Sequence, residues 1–375
     1  MTHHWIWQYT KWPQFTWQEE KLLPLLVEAR KVQGQLLGSI EMLDTNLSAE
    51  AQAEILVTDG VNTSAIEGEQ IDPSSIRSSI ARHLGLPTAG LPQPARNVEG
   101  LVQVLLDATQ HYDQPLTLQR LCGWQAALFP TGYSGLSKIK TGELRGSEPM
   151  RVVSGPIGRE KIHFEAPPQK GLSKQVNEFI HWFNKTAKDK KFDGLVRAGI
   201  THLWFVTLHP FEDGNGRLAR ALTDMAIAQD EKSTIRTFSL SAQMMRTRSA
   251  YYDILESTQK NSLDITPWLA WFLQQIVAAC ALAQKTIHHV LQKARFWMQH
   301  SKAPMNDRQR KIMNRLLDAG PEGFKGGMNT RKYMSLTKTS RATAYRELNE
   351  LVEWKCLSPV GQGRSTGYVV NFEDG

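Results

Sequence analysis

The sequence is poor in cysteine. Its three cysteines, Cys122, Cys280 and Cys356, are far apart and odd in number. They fit neither a disulfide framework nor a metal-binding knuckle, because those need paired or closely spaced cysteines. We therefore expect a reducing compartment, the cytoplasm.

Long apolar runs, leader patterns and repeats are also missing. No uncharged apolar run reaches the roughly 18 residues that a membrane helix needs, so we expect no membrane span. The first residues, Met1 to Trp5, lack the basic-then-apolar pattern of a signal peptide. No internal repeat or low-complexity segment is present.

The composition itself is that of an ordinary globular protein with a basic excess. Hydrophobic residues make up 41% and charged residues 22% of the 375 residues, and this length allows two or three domains. The net charge is +7, and residues 301–375 hold 13 lysines and arginines against 8 acidic residues. Most of the excess therefore lies in the last fifth of the chain, which favours an acidic partner there.

Residues 209–220, which read HPFEDGNGRLAR, contain the densest group of candidate catalytic and phosphate-binding residues. Pro210 removes a backbone donor and disfavours a helical His209, so the apolar helix before it should end there. Gly214 and Gly216 permit backbone angles that let successive N–H groups converge on an anion. A second helix starting near Asn215 would point its positive end at the same place.

Charged side chains complete this stretch. Arg217 and Arg220 lie three residues apart on one helix face and can clamp phosphate oxygens. Asp213 supplies the hard oxygen ligand that a phosphate-bound Mg²⁺ needs, with the adjacent Glu212 as the alternative. His209 is the base that works at neutral pH. The stretch therefore predicts a polyphosphate–Mg²⁺ cradle with a histidine base.

The same stretch resembles, with no departure, the signature of the Fic family, His-Pro-Phe-x-(Asp/Glu)-Gly-Asn-Gly-Arg-x-x-Arg. Most members transfer AMP from ATP to a hydroxyl of a target protein (AMPylation). Relatives that phosphorylate have a different glycine region, so the intact Gly214-Asn215-Gly216 favours AMP transfer. The resemblance implies a nucleotidyltransferase that uses ATP and Mg²⁺ and acts on a Ser, Thr or Tyr hydroxyl of a protein.

The resemblance also assigns roles to residues of the stretch. His209 would be the catalytic base, and Asp213 would hold the metal. The residues expected to bind ATP share this loop and the first turns of the second helix. They are Asp213, Gly214, Asn215, Gly216, Arg217, Leu218, Ala219 and Arg220.

A segment upstream resembles the inhibitory helix of the family. Residues 62–69 read NTSAIEGE and end a predicted helix, with Gly68 in a C-cap position. Thr63, Glu67 and Gly68 match the family pattern (Ser/Thr)-x-x-x-Glu-(Gly/Asn). The resemblance implies autoinhibition by Glu67 with Thr63 as an anchor. The alternative is a capped helix with a solvated glutamate.

A change of pattern over residues 141–168 predicts a β-hairpin. The β-like runs Arg151–Ser154 and Lys161–Phe164 flank a GPIG turn at residues 155–158. In Fic relatives a hairpin flap here lines the nucleotide site and pairs with an extended segment of the target. The alternative is a hairpin without function. The resemblance places the flap residues Val152, Val153, Ser154 and Gly155 at the ATP site.

Downstream of this stretch, Tyr251, Tyr252 and Gln259 match positions that contact the nucleoside in relatives of the Fic family. Tyr251 and Tyr252 correspond to a Tyr-Tyr pair, and Gln259 follows where many relatives have Asn. The alternative interpretation is an aromatic pair in the core.

Other patterns predict the helices around the cradle. Thr16 and Glu19 would form a capping box for a helix through Ile40, kinked by Pro24, and Ser48 would cap a helix from Ala49 to Ile66. Further helices are predicted over residues 96–111, 116–128, 173–183, 249–259 and 268–283. Six aromatic residues should dock on a neighbouring surface: Trp5, Trp7, Tyr9, Trp12, Phe15 and Trp17.

The C-terminal part predicts a winged-helix domain. Three short helices, over 307–317, 330–336 and 340–352, precede two β-like runs, 357–360 and 367–370, around a GQGR turn. The third helix carries Arg341 and Arg346 and resembles a recognition helix. Such a domain binds either DNA or protein, and its charge does not decide between them.

Together these features predict a mainly α protein. Residues 1–90 would form an N-terminal helical region with the inhibitory helix, residues 91–290 a Fic helical core with a β-hairpin flap, and residues 300–375 a winged-helix domain. The predicted function is a protein adenylyltransferase that is autoinhibited by Glu67, with self-modification and a homodimer as further expectations. The alternatives are a winged-helix regulator whose Fic core senses nucleotide, and an enzyme that removes AMP.

Overall fold

The computed structural model describes residues 5–88, 90–155, 159, 161–189, 191, 193–319, 324, 327–361 and 366–372. The chain divides into two compact units, Met1–Leu43 with Ser48–Ala283, and Asp44–Leu47 with Gln284–Gly375. The predicted boundary between residues 90 and 91 falls inside the first unit and stays a prediction.

Helices dominate the described residues, as predicted from the sequence. In chain order they are α1 (Glu19–Glu41), α2 (Thr45–Ile66), α3 (Pro73–His83), α4 (Arg96–Gln110), α5 (Leu118–Leu128), α6 (Leu172–Thr186), α7 (Gly194–Leu208), α8 (Asn215–Glu231), α9 (Leu240–Arg246), α10 (Arg248–Gln259), α11 (Thr266–Gln299), α12 (Asp307–Leu317), α13 (Thr330–Thr337) and α14 (Arg341–Glu353). A short 3₁₀ helix, Ile6–Gln8, precedes them.

The strands form three separate antiparallel pairs within the described residues. They are β1 (Tyr133–Ser134) with β2 (Ser137–Lys138), β3 (Arg151–Ser154) with β4 (Lys161–Glu165), and β5 (Leu357–Val360) with β6 (Gly367–Val370). The pair β3–β4 is the predicted hairpin. Residues 156–158 of its predicted turn lie outside the described residues.

Two predicted helix starts are wrong. The Thr16 backbone N–H donates to the Leu263 carbonyl at 2.9 Å, so Thr16 pairs with the loop before α11 instead of capping α1. The N-cap of α1 is Gln18, whose side chain makes no capping hydrogen bond. Helix α2 begins at Thr45, ahead of Ser48, because the Asp44 carboxylate accepts the Leu47 N–H at 2.9 Å.

Helix α7 lies at the centre of the first unit. All of its 15 residues are buried, and α8 packs along it. Asp193 starts the helix by accepting the Leu195 N–H at 2.8 Å. The ends predicted around Pro210 are confirmed, because α7 stops at Leu208 and α8 starts at Asn215.

Helices α2, α3 and α4 share one apolar cluster. Leu56 and Val57 of α2 pack with Ile76 and Ile80 of α3 and with Val102 of α4. Helix α3 is absent from the sequence prediction, although Asp72 caps it with Pro73 in its first turn. This cluster fixes the C-terminal end of α2 in the unit that contains α7 and α8.

The aromatic N-terminal segment is docked, as predicted. The Trp5 ring meets Phe164 of β4 edge-on at 5.4 Å between centroids. The Trp7 indole N–H donates to the Glu165 carbonyl at 2.7 Å, and Phe15 contacts Trp204 of α7 at 5.9 Å. The segment therefore supports one side of the β3–β4 hairpin.

Helix α11 differs from expectation in its length and character. No membrane span is predicted from the sequence, yet α11 is long and apolar enough to cross a membrane by length and composition alone. In the structure 56% of the most apolar part of α11 is buried. A helix in the core of a globular protein can have the same length and composition.

The second unit has the predicted order of three helices and a strand pair. Its core contains Tyr333 of α13 and Leu348 of α14, and Met328 pairs with Tyr368 beside β6. The buried Glu347 carboxylate accepts the Tyr333 hydroxyl at 2.7 Å. The winged-helix assignment stays a prediction. Residues 362–364 of its predicted turn lie outside the described residues.

Candidate active site

The loop between α7 and α8 places His209 at its start. His209 has a left-handed backbone with φ 47°, and its N–H donates to the Phe205 carbonyl at 3.0 Å. The buried Arg145 guanidinium donates to the His209 carbonyl at 2.8 Å and also to the Pro167 carbonyl. Arg145 therefore holds the start of the α7–α8 loop against the segment around Pro167. No local sequence pattern marks Arg145, because only tertiary contacts bring it to the loop.

The His209 imidazole is positioned as a neutral base. Its Nδ1 lies 3.2 Å from the Val206 carbonyl, which selects the tautomer that leaves Nε2 as an acceptor. Burial lowers the pKa of His209, and Arg145 lowers it further. The Val206 carbonyl and the carboxylates of Glu67 and Asp213 act against this shift in pKa. The ring is therefore uncharged at neutral pH.

Asn215 closes the loop onto itself. The Phe211 N–H donates to Asn215 Oδ1 at 3.0 Å, and Asn215 Nδ2 donates to the Phe211 carbonyl at 2.8 Å. Both ends of this buried amide are used in the loop. The structure thus gives Asn215 a loop-shaping role, and its contact with a phosphate stays a prediction.

The two carboxylates of the loop are held apart. Asp213 accepts the Gly214 N–H at 2.6 Å and contacts the Ser134 hydroxyl of β1. Glu212 accepts the Lys140 N–H at 2.9 Å. The described residues include no group of three or more His, Cys, Asp or Glu side chains that could hold a metal. A single carboxylate still fits Mg²⁺, which proteins often bind through one or two carboxylates plus substrate phosphates.

Arg220 is held by the end of α2. Its Nε donates to the Thr63 hydroxyl at 2.7 Å, and its Nη2 donates to Glu67 Oε1 at 2.7 Å. Burial acts to lower the pKa of Arg220, but the Glu67 carboxylate raises it above the usual value. The Arg220 Nη1 atom is buried without a hydrogen-bond partner among the described residues. The predicted inhibitory residues Thr63 and Glu67 thus meet the second arginine of the cradle.

A second carboxylate from the same segment holds the first arginine. Arg217 Nη1 donates to Glu69 Oε2 at 2.9 Å, and its guanidinium lies 4.8 Å from the centre of the Phe129 ring. Arg217 Nε is also buried without a partner in the described part of the chain. Glu69 is missing from the sequence analysis. The spacing Glu67-Gly68-Glu69 is the signal that could have found it.

The turn at Gly68 explains how both carboxylates reach the cradle. Gly68 has φ 83°, its N–H donates to the Ala65 carbonyl at 3.0 Å, and the Glu69 N–H donates to the Ser64 carbonyl at 3.0 Å. These two bonds form a Schellman motif, in which the left-handed residue reverses the chain. Glu67 precedes the reversal and Glu69 follows it.

Gly216 lies in close contact with the Glu67 carboxylate, so a larger residue there would have to displace that side chain. A Cβ atom there would lie 2.1 Å from Glu67 Oε1. Gly214 has φ 87° as the N-cap of α8, and a Cβ would lie 2.9 Å from the Phe129 ring. Leu218 and Ala219 have no exposed surface. The side chains of Leu218 and Ala219 therefore cannot contact a ligand in the cavity, whereas Gly216 lines the cavity beside Glu67.

A cavity of about 600 Å³ brings many of the predicted site residues together. His209, Gly216 and Glu67 border it on one side. The flap and α10 border it on the other with Val152, Val153, Ser154, Tyr251, Tyr252 and Gln259. The cavity is large enough for a nucleotide-sized ligand. The predicted site residues Thr63, Asp213, Asn215, Arg217, Arg220 and Gly155 are not among the residues that line it, and Arg217 lines a separate cavity with Glu69 and Ser134.

The two tyrosines have different environments. Tyr251 is buried, and its hydroxyl lies 2.9 Å from Nε2 of His202 on α7. Tyr252 is 38% exposed, and its hydroxyl donates to the Ile66 carbonyl at 3.2 Å. The Gln259 amide donates to the Thr207 hydroxyl at 3.1 Å. Tyr252 therefore connects α10 with the C-terminal end of α2.

The flap contains an irregularity that redirects one side chain. Val152 is opposite Phe164 and Val153 is opposite Ile162, which leaves His163 as the extra residue of a β-bulge. The His163 ring lies with Nε2 2.5 Å from the Ser154 hydroxyl and Nδ1 2.5 Å from the Glu256 carboxylate of α10. This contact is not predicted from the sequence, because its three residues are joined only by the bulge and by the packing of α10.

Comparison with known proteins agrees with this arrangement. Residues 115–227 match the model of the Fic/DOC family, and residues 5–86 match that of a domain of unknown function (DUF4172). Residues 115–227 are therefore similar to a Fic/DOC family domain. This family consists mostly of transferases that modify proteins, and its members typically transfer a nucleoside monophosphate with ATP and a metal.

Two solved structures are similar in fold. A Fic family protein from Desulfovibrio desulfuricans G20 matches with 17% identity and a TM-score of 0.53, over 98% of this chain and 98% of that one. A Fic domain containing signaling protein from Bacteroides thetaiotaomicron VPI-5482 matches with 17% identity and a TM-score of 0.52, over 72% of this chain and 97% of that one. At this identity the likeness concerns the fold alone.

Proposed function

We propose that the protein transfers AMP from ATP to a Ser, Thr or Tyr hydroxyl of a protein. One observation carries the proposal: the neutral His209 imidazole and the start of α8 border the same cavity. A base beside a helix N-terminus can deprotonate a hydroxyl next to a bound phosphate.

Each residue has a role in the proposed reaction. His209 Nε2 takes the proton of the attacking hydroxyl. The Gly216 N–H and its neighbours at the start of α8 orient the α-phosphate, and Arg217 and Arg220 neutralise the departing phosphates. Asp213 would hold Mg²⁺, which supplies charge neutralisation at the phosphates. Positioning and charge together lower such a barrier.

We further propose that the end of α2 inhibits this reaction. Glu67 occupies the Arg220 guanidinium and lies against Gly216. A triphosphate entering the cavity would meet a negative charge where its terminal phosphate should lie. A displacement of about 1 Å from in-line geometry can cost roughly 10²-fold in rate.

The C-terminal unit would act as a winged helix that binds a partner. Helix α14 exposes Arg341, Tyr345 and Arg346 on one side. This exposed basic face supports a role in binding DNA or an acidic protein surface.

The test compares Glu67→Gly with the double variant Glu67→Gly, His209→Ala. Both are incubated with ATP and Mg²⁺ alone and with cell lysate, and AMP on proteins is measured by mass spectrometry. We expect AMP incorporation into lysate proteins by Glu67→Gly to rise roughly 10²-fold over wild type and to be lost in the double variant, because His209 is the base for hydroxyls of other proteins. Absence of AMP from every protein would refute the proposal. Loss of AMP from already modified proteins would indicate the reverse reaction.

A further inference from the structure

Three side chains that line the cavity are linked to one another by hydrogen bonds. The Ser154 hydroxyl of β3, the His163 imidazole of β4 and the Glu256 carboxylate of α10 all line the same cavity as His209. Both links are 2.5 Å long. None of the three residues belongs to the cradle, and the proposed reaction does not use His163 or Glu256.

The order of these groups matches that of an activated nucleophile. A hydroxyl becomes nucleophilic when a base accepts its proton and a third group orients that base. Here the Glu256 carboxylate accepts the N–H at Nδ1 of His163, so Nε2 is the ring nitrogen placed to accept the proton of the Ser154 hydroxyl. The Lys260 ammonium lies 2.5 Å from Glu256 Oε1, and the pKa of Glu256 is below its usual value, although burial opposes this shift.

The backbone of the flap is shaped for this contact. In a regular hairpin His163 would pair across the strands, but the bulge between Val152 and Val153 leaves it unpaired. Bulges next to active sites redirect side chains in this way. Glu256 lies one helical turn beyond Tyr252 on α10, so the same helix face supplies both a cavity wall and the orienting carboxylate.

From this geometry we propose that Ser154 is an activated hydroxyl and the residue on which the protein modifies itself with AMP. The acceptor role rests on the proposed AMP transfer, whereas the activation of Ser154 does not. In the reaction, Ser154 Oγ forms a bond to the α-phosphorus of ATP. The bond from that phosphorus to the bridging oxygen breaks, pyrophosphate leaves with the electron pair, and the serine proton moves to His163 Nε2.

The first experiment tests activation without nucleotide. The full-length protein is treated with diisopropyl fluorophosphate, which labels activated serines, and the labelled peptides are mapped. We expect label on Ser154 in wild type and roughly 10²-fold slower labelling in His163→Gln, because general bases contribute this much. Glu256→Gln, which keeps the shape of the side chain, should also slow labelling. Ser249 is the internal control, since it lines the same cavity with its hydroxyl 3.4 Å from the Asp253 carboxylate.

The second experiment maps AMP on the Glu67→Gly protein after incubation with ATP and Mg²⁺. We expect the modification on the peptide that contains Ser154, and its loss from that peptide in Glu67→Gly with Ser154→Ala. Unlabelled Ser154 in the first experiment would mean that the chain of contacts only holds the flap, and the inference would be wrong. AMP on other residues with none on Ser154 would overturn the acceptor role and leave AMP transfer intact. AMP on no protein at all would overturn the proposed function as well.

Discussion

At the scale of single residues, the two adjacent carboxylates of the loop show how local contacts separate their roles. Glu212 is occupied by the Lys140 backbone, whereas Asp213 stays beside the start of α8. Asp213→Ala should therefore lose most AMP transfer and its dependence on Mg²⁺, since no other carboxylate of the loop is available. Initial rates across a Mg²⁺ titration measure this, with Glu212→Ala as the matched control. An inactive Glu212→Ala beside an active Asp213→Ala would reverse the assignment.

A second residue-scale prediction concerns the buried His202. Its ring lies between the Thr223 and Tyr251 hydroxyls, and burial with the nearby Arg220 lowers its pKa to about 3. Below the unfolded-state pKa near 6.5, the unfolded chain binds a proton that the folded chain does not. Stability is therefore fully present above pH 6.5 and falls as the pH drops towards 3, by at most about 1.4 kcal/mol per pH unit.

The variant His202→Gln should weaken that pH dependence. Glutamine keeps polar atoms near both hydroxyls but does not titrate. Urea unfolding between pH 7 and pH 5 gives the free energies, and His181→Gln, at an exposed position of α6, is the control. A slope that is unchanged in His202→Gln would show that His202 is protonated in the folded protein.

At the scale of elements, the end of α2 acts through two carboxylates of unequal burial. Glu69 is 40% exposed at its side chain and pairs with Arg217, whereas Glu67 pairs with the fully enclosed Arg220. Partly exposed ion pairs contribute roughly 0.2–1 kcal/mol, so Glu69→Gln should tighten ATP binding by about 1.4- to fivefold. Glu67→Gly should have the larger effect. Equilibrium binding measures both, and Glu54→Gln, which breaks the α2 pair with Arg77, is the control. Equal affinities for Glu69→Gln and wild type would remove Glu69 from the inhibition.

A substitution at Gly68 tests whether the left-handed backbone of this turn is needed for stability and for the proposed inhibition. An added Cβ would contact nothing within 4 Å, but the residue has φ 83°. Gly68→Ala should therefore lower the free energy of unfolding by about 1 kcal/mol and partly release inhibition. Gly34→Ala is the matched control, because it lies inside α1 with nothing within 4 Å and should stabilise the protein by about 0.5–1 kcal/mol. Thermal unfolding and AMP incorporation distinguish the two variants, and an equal gain in stability for both would contradict the strain at Gly68.

Local signals explain which elements the sequence predicts well. Pro210 and Gly214 set the ends of α7 and α8 through their own backbone geometry, so these ends are confirmed. The Fic resemblance points to Thr63 and Glu67 because their motif is contiguous in the chain, and both residues contact Arg220, whereas their inhibitory role stays a prediction. Arg145, Glu69 and His163 escape prediction because their partners are distant in the chain or because a bulge redirects them. Thr16 shows the opposite failure, since a tertiary pairing replaces its local capping box.

At the scale of the whole molecule, each compact unit has its own separable function in our proposal. Replacing Arg341 and Arg346 by Ala should weaken retention on DNA and reduce its salt dependence, because fewer phosphates would be neutralised. AMP incorporation in the Glu67→Gly background should not change. Binding to duplex DNA at several salt concentrations measures the effect, with the exposed Lys302→Ala as control. Unchanged binding to DNA would leave an acidic protein as the partner to search for.

Because of the chain reversal at Gly68, binding of ATP is coupled to the attachment of the C-terminal end of α2 to the two arginines. In our proposal the terminal phosphates of ATP and the carboxylates beside Gly68 compete for the same two guanidiniums. By reciprocity, the factor by which ATP loosens the end of α2 equals the factor by which a loosened end tightens ATP. Amide hydrogen exchange at Gly68 and Glu69 should then quicken as ATP is added. A partner that captures this segment would raise the affinity for ATP by releasing both guanidiniums.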